Sequence, residues 1–210
     1  MSVKPSILSI YEKYYIPLGR DLEKCLPGLI IAVMPVLEEL ENEYFEAGYT
    51  ILIALRTQVQ ATPFYNGLWG SIARNAAIRG SAVNFLMRAL PKSTTPEDVV
   101  VICDSSNRFS DAMIALLTDQ AFLVNRGALD ILINNFSYAT CHTLIPYVDS
   151  IVKESLSVLL KRQSSLNRRL FEWLQVDRLL AVESEAVKSI IRGLKVLTVN
   201  SRAESSQTMQ

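Results

Sequence analysis

The sequence predicts an all-α chain, a right-handed stack of helical hairpins forming a HEAT/armadillo-like solenoid, and three observations predict it. One apolar pattern occurs three times: Ile78, Ala82, Phe85, Leu86; then Val124, Ala128, Ile131, Leu132; then Leu166, Leu170, Trp173, Leu174. Each set falls at i, i+4, i+7 and i+8, the stripe that a helix buries on one face. The copies follow one another at offsets of 46 and 42 residues, a spacing at which stacked helix pairs recur. Each copy also carries an early arginine (Arg79, Arg126, Arg168) and a polar residue at its seventh position (Asn84, Asp130, Glu172). Finally, alternating strand patterns are scarce. Val99–Ile102 is the one strand-like run, and Thr95-Pro96-Glu97-Asp98 before it reads as a helix start, with a capping threonine, a proline in the first turn and acids behind it.

The expected helices run over 4–15, 18–25, 27–41, 43–60, 63–73, 76–90, 96–105, 108–119, 121–136, 144–162, 165–175 and 184–199. Pro35 falls inside the third and should kink or break it, since it lacks an N–H and crowds the preceding turn. Thr62-Pro63 opens the fifth as a cap followed by a proline, and Thr143 caps the helix that runs to Arg162. Pro91-Lys92-Ser93-Thr94 is the clearest loop, and the next break lies between Gln175 and Ser184. Residues 1–199 are thus expected to form one helical-repeat domain with an irregular first unit. The polar stretch 200–210 is expected to be a disordered tail.

Half of the 210 residues are hydrophobic, enough for a sizeable core. Twenty-one basic and 21 acidic residues cancel, so global charge offers no attraction for nucleic acid. The distribution is uneven: Asp21–Glu46 holds seven acids against Lys24, and Lys161–Arg202 holds nine bases against four acids. The most apolar run, Leu26–Leu37, is about half the length of a membrane span and contains Pro27, Gly28 and Pro35. Met1–Pro5 has no apolar leader core. Cys25, Cys103 and Cys141 are odd in number, widely spaced and each beside apolar neighbours, which fits reduced, buried thiols in a cytosolic protein.

No cofactor or metal motif is found: GxGxxG, Walker, HExxH and EF-hand spacings are missing. The single histidine, His142, adjoins Cys141, a spacing that does not aim one side chain at the other. The chain therefore reads as a non-enzyme. Arg79 and Arg126 are candidate structural arginines, placed to bridge to carboxylates or helix-end carbonyls of an adjacent unit. Asn167, Arg168 and Arg169 open a helix after Ser164-Ser165 and are candidate partner or anion contacts. Lys188, Arg192 and Lys195 join them, lying on one face of an amphipathic segment opposite Val187, Ile190, Ile191, Leu194 and Leu197. Such a helix either packs as the last of the stack or lies on an anionic bilayer.

Three stretches together resemble the N-terminal region of the Dopey family of membrane-traffic proteins. They are Leu26–Glu39 (LPGLIIAVMPVLEE), Phe64–Ile72 (FYNGLWGSI) continuing at Ile78–Leu86 (IRGSAVNFL), and Ser165–Leu174 (SLNRRLFEWL). The resemblance spans about residues 16–175. It implies a non-enzymatic adaptor or scaffold in vesicle traffic and cell morphogenesis, cytoplasmic and peripheral on Golgi, trans-Golgi and endosome membranes. The implied partners are a large Sec7-related scaffold and an aminophospholipid flippase, with kinesin light chain as a further one. The alternative from the residues is a phosphoinositide or anionic-membrane module that uses the basic C-terminal segment.

Overall fold

The computed structural model describes residues 5–92, 94–103, 107–138, 141, 145 and 147–174. Its α-helices are α1 (Pro5–Ile10), α2 (Leu26–Val33), α3 (Phe45–Val59), α4 (Ala61–Arg74) and α5 (Arg79–Ala89), then α6 (Pro96–Cys103), α7 (Arg108–Leu117), α8 (Phe122–Asn135), α9 (Val148–Ser157) and α10 (Ser164–Trp173). Among the described residues there is no strand. The predicted helix 184–199, the tail 200–210 and the proposed Thr143 cap lie outside them.

Two rows of helices follow from the packing. In the first row α2 packs on α4, α4 on α7 and α7 on α9. In the second, the single 3₁₀ turn Met34–Leu37 packs on α5, α5 on α8 and α8 on α10. The three repeated stripes belong to this second row: all twelve of their residues are buried. The stripes recur because successive second-row helices meet the same kind of surface, a first-row helix on one side and a neighbour of their own row on the other. A chain of aromatic contacts runs through the core, within and between the rows. Phe85 meets Phe64 (6.0 Å between centroids), Trp69 meets Phe109 (5.1 Å), Phe109 meets Phe136 (4.9 Å) and Tyr138 meets Trp173 (5.9 Å). Both indoles donate to carbonyls, Trp69 Nε1 to Ile102 at 2.7 Å and Trp173 Nε1 to Phe136 at 2.8 Å.

The first unit departs from a helical hairpin. The expected helix 4–15 is α-helical only to Ile10 and then widens into a π turn over Tyr11–Tyr15. A 3₁₀ segment, Ile16–Lys24, follows and is kinked at Gly19, whose φ of 58° is open to glycine. The expected helix 27–41 divides at Pro35: α2 stops at Val33, and the proline enters the first turn of the 3₁₀ segment, where no intrahelical N–H is required of it.

Thr95 caps as expected. Its Oγ1 accepts from the Asp98 N–H, and the Asp98 carboxylate accepts from the Thr95 N–H and hydroxyl. Thr62 does not cap: α4 starts at Ala61 after Gln60, whose φ is 73°. Pro63 stays within the first turn, whose N–H groups have no intrahelical acceptor.

One crossing is unusually close. A Cβ on Gly127 would stand 2.2 Å from Val83 Cγ1, so α8 approaches α5 at a distance that only glycine permits.

Candidate functional site

The polar groups at the ends of the helices form a clamp that ties one layer of the stack to the next. Arg79, at the start of α5, donates to the Ile72 and Ala73 carbonyls at the end of α4 and reaches Asp119 beyond α7 at 2.9 Å. Asn125 of α8 donates from Nδ2 to the carbonyls of Leu116, Leu117 and Asp119, covering the end of α7. Lys161, just before α10, donates to the Asp119 carbonyl at 2.9 Å and to Asn125 Oδ1 at 2.6 Å. Burial raises the Asp119 pKa, but the Ala121 N–H, Arg79 and Lys161 together outweigh it, and the carboxyl is held below its ordinary value.

Arg79, Asn125 and Asn167 share a register, each following the first stripe residue of its copy (Ile78, Val124, Leu166). That register faces the end of the preceding first-row helix for Arg79 and Asn125. Asn167 has a buried Oδ1 without a hydrogen-bond partner among the described residues. Arg126 and Arg168 fall one residue later and are exposed. Arg126 lies 3.7 Å from Asp130 on its own helix. Arg169 turns back toward the stack, pairing with Asp130 of α8 and donating to the Ser165 carbonyl. Of the seventh-position residues, Asn84 donates to the Leu37 and Glu38 carbonyls, Asp130 receives Arg169, and Glu172 is exposed. Lys188, Arg192 and Lys195 lie outside the described residues.

Asp119, Asn125 and Lys161 are the clamp residues that the sequence reading missed. The only sequence signal for them is the offset of about one repeat separating Arg79, Asp119 and Lys161.

The shortened first unit leaves a groove beside this clamp. Its second-row element ends after one turn, and Asn84 holds the segment that follows against the middle of α5. The groove encloses about 460 Å³ over Gly80, Val83 and Val124, with Leu40, Leu123 and Glu38 along its sides.

No helix among the described residues is long and apolar enough to cross a membrane, and no group of three His, Cys, Asp or Glu side chains is placed to hold a metal. Of the three thiols expected to be buried, Cys25 is exposed, while Cys103 and Cys141 are buried; burial pushes the Cys103 thiol up, aided by Cys141, and pushes Cys141 itself up to about 12. Both thiols are therefore protonated and poorly nucleophilic at neutral pH.

The family model described as "Dopey, N-terminal" matches residues 1–178. The chain is 35% identical over 178 residues to "Protein DOP1 homolog" of Drosophila pseudoobscura pseudoobscura, covering 83% of this chain and 7% of that protein. It is 34% identical over 185 residues to "Protein DOP1B" of Xenopus laevis, covering 83% of this chain and 8% of that one. It is 30% identical over 176 residues to "Protein pad-1" of Caenorhabditis elegans, with 83% and 7% covered. The chain thus spans less than a tenth of the length of these curated relatives. No solved structure matches it.

Proposed function

Because this chain belongs to the Dopey N-terminal family, we propose that it is a non-enzymatic adaptor or scaffold domain of Golgi–endosome vesicle traffic and cell morphogenesis. Its work is protein–protein contact. The observation that carries this reading is the family match over residues 1–178, which embraces every described element. The structure lends support in one respect: Arg79, Asp119, Lys161 and Arg169 are committed to contacts within the stack, while a groove lined by exposed leucines and Glu38 is left open to a partner. By family resemblance the partners are a large Sec7-related scaffold, an aminophospholipid flippase and kinesin light chain, and the place of action is the cytoplasmic face of Golgi, trans-Golgi and endosome membranes.

The test is capture of the tagged 210-residue chain from cells, with immunoblots for the Sec7-related scaffold and the flippase. It is paired with co-sedimentation on vesicles with and without phosphoinositide. Recovery of either partner without vesicle binding is the expected result. Vesicle binding that salt abolishes, and that is lost when Lys188, Arg192 and Lys195 are replaced, overturns it in favour of direct membrane attachment. Recovery of neither partner overturns the family-based assignment of partners.

A further inference from the structure

The groove between α5 and α8 combines three properties that the stack itself does not require. Its walls are apolar and two of them are unusually bare: Leu40 is 69% exposed and Leu123 71% exposed. Two exposed leucines lining one concavity make a patch rather than scattered surface residues. The charge along its side is negative and uncompensated. Glu38 lines the groove, Glu39 and Glu41 follow it exposed, and among the described residues no cation pairs with any of the three. Arg79 is committed to Asp119 and two carbonyls and Lys161 to Asn125 and a carbonyl, while Arg126 is exposed and lies 3.7 Å from Asp130 of its own helix. The floor is also left low. A Cβ built on Gly80 meets nothing within 4 Å, although Gly80 is helical and adjoins the Arg79 clamp.

We propose that this groove is the docking site for a basic amphipathic segment of a partner protein. Aliphatic side chains of the segment seat against Val83, Val124, Leu40 and Leu123, and its lysines or arginines meet Glu38 at the groove's side, with the exposed Glu39 and Glu41 flanking Leu40 in the chain. The charge selects this occupant: the carboxylates repel an anionic bilayer and an acidic peptide, and they favour a cationic helix laid into an apolar groove. Asn84 is a positioning residue for the site, since its two hydrogen bonds hold the segment carrying Glu38 and Leu40 in place. The inference deepens the adaptor reading and rests on it by giving the adaptor a contact surface of defined chemistry.

The experiment titrates the full 210-residue chain with a short fluorescent peptide of leucines and lysines at amphipathic helical spacing, beside a second peptide with glutamate for every lysine. The lysine peptide is expected to bind saturably and more weakly as salt rises, while the glutamate peptide does not bind. Gly80→Leu, at a position whose added Cβ meets nothing within 4 Å, puts a side chain on the floor and should weaken binding at least about 10-fold without lowering the unfolding midpoint. Leu123→Ser, at an exposed position, should act in the same direction and serves if Gly80→Leu is unstable. Equal affinity for both peptides, undiminished binding in both variants, or no binding of the lysine peptide overturns the proposal. Self-association that Gly80→Leu abolishes also overturns it, by giving the groove to a second copy. Because the probe is synthetic, failure here leaves the partner-capture result standing, and failure there leaves this one standing.

Discussion

At the scale of single residues, what matters is the position a side chain takes relative to the buried stripe. One step after the first stripe residue places Arg79 and Asn125 against helix-end carbonyls; two steps after it places Arg126 and Arg168 in solvent. A step is about 100° around a helix, so neighbouring arginines in one run have opposite fates. Asn125→Ala strips donors from three carbonyls and an acceptor from Lys161. It should cost about 1–3 kcal/mol in urea unfolding. Asn167→Ala, at the same register but with its Oδ1 unpartnered, should cost clearly less in the same assay. Arg126→Ala should stay within about 0.5 kcal/mol of wild type, as exposed pairs on one helix do. Gly127→Ala puts a methyl 2.2 Å from Val83 Cγ1. Valine has little χ1 freedom in a helix, so the substitution should destabilise by about 1–3 kcal/mol. In a double-mutant cycle with Val83→Ala, the two changes should together cost less than their sum.

At the scale of elements, the clamp makes the joint between layers sensitive to acid. Asp119 has a folded-state pKa below its unfolded value. Its contribution is therefore complete above the unfolded aspartate pKa of about 3.9 and lost as pH falls toward and through the folded value. The stability gap between wild type and Asp119→Asn, read from urea curves across pH, should be constant near neutrality and close below about pH 4. A gap that widens as pH falls contradicts the clamp. The helices themselves were largely legible, because burial on one face imprints a 3.6-residue period and because Thr95, Pro35 and Pro96 mark ends by chemistry local to the chain. The clamp was not. Arg79, Asp119 and Lys161 lie about a repeat apart, and no local pattern says that three separate helix ends converge. Thr62 misled for the opposite reason: its local chemistry suits a cap, yet the tight joint at Gln60 starts α4 two residues earlier, at Ala61. The groove was equally hidden, since it arises from what the first unit lacks, a full second-row helix beyond Leu37.

At the scale of the whole molecule, two rows of helices with contacts between successive layers make stability a chain of neighbour terms instead of a single pooled quantity. Leu170, fully buried in α10, is a suitable probe. Leu170→Ala should raise amide exchange across residues 148–174 while leaving α4 and α5 near their wild-type protection. Uniform loss of protection along the chain would show that the layers melt as one. The same arrangement gives the two tryptophans a value beyond their hydrogen bonds. The chain has only Trp69 and Trp173, both buried, the first in α4 and the second at the end of α10. Each indole is thus an optical reporter sealed into a different layer. In Trp69→Phe the remaining emission reports on the far end of the stack, and in Trp173→Phe it reports on the near end. If the layers part in sequence, the two emission curves separate along the denaturant axis, with the Trp173 signal shifting red first. The molecule carries its own pair of gauges for whether an event at one end is felt at the other.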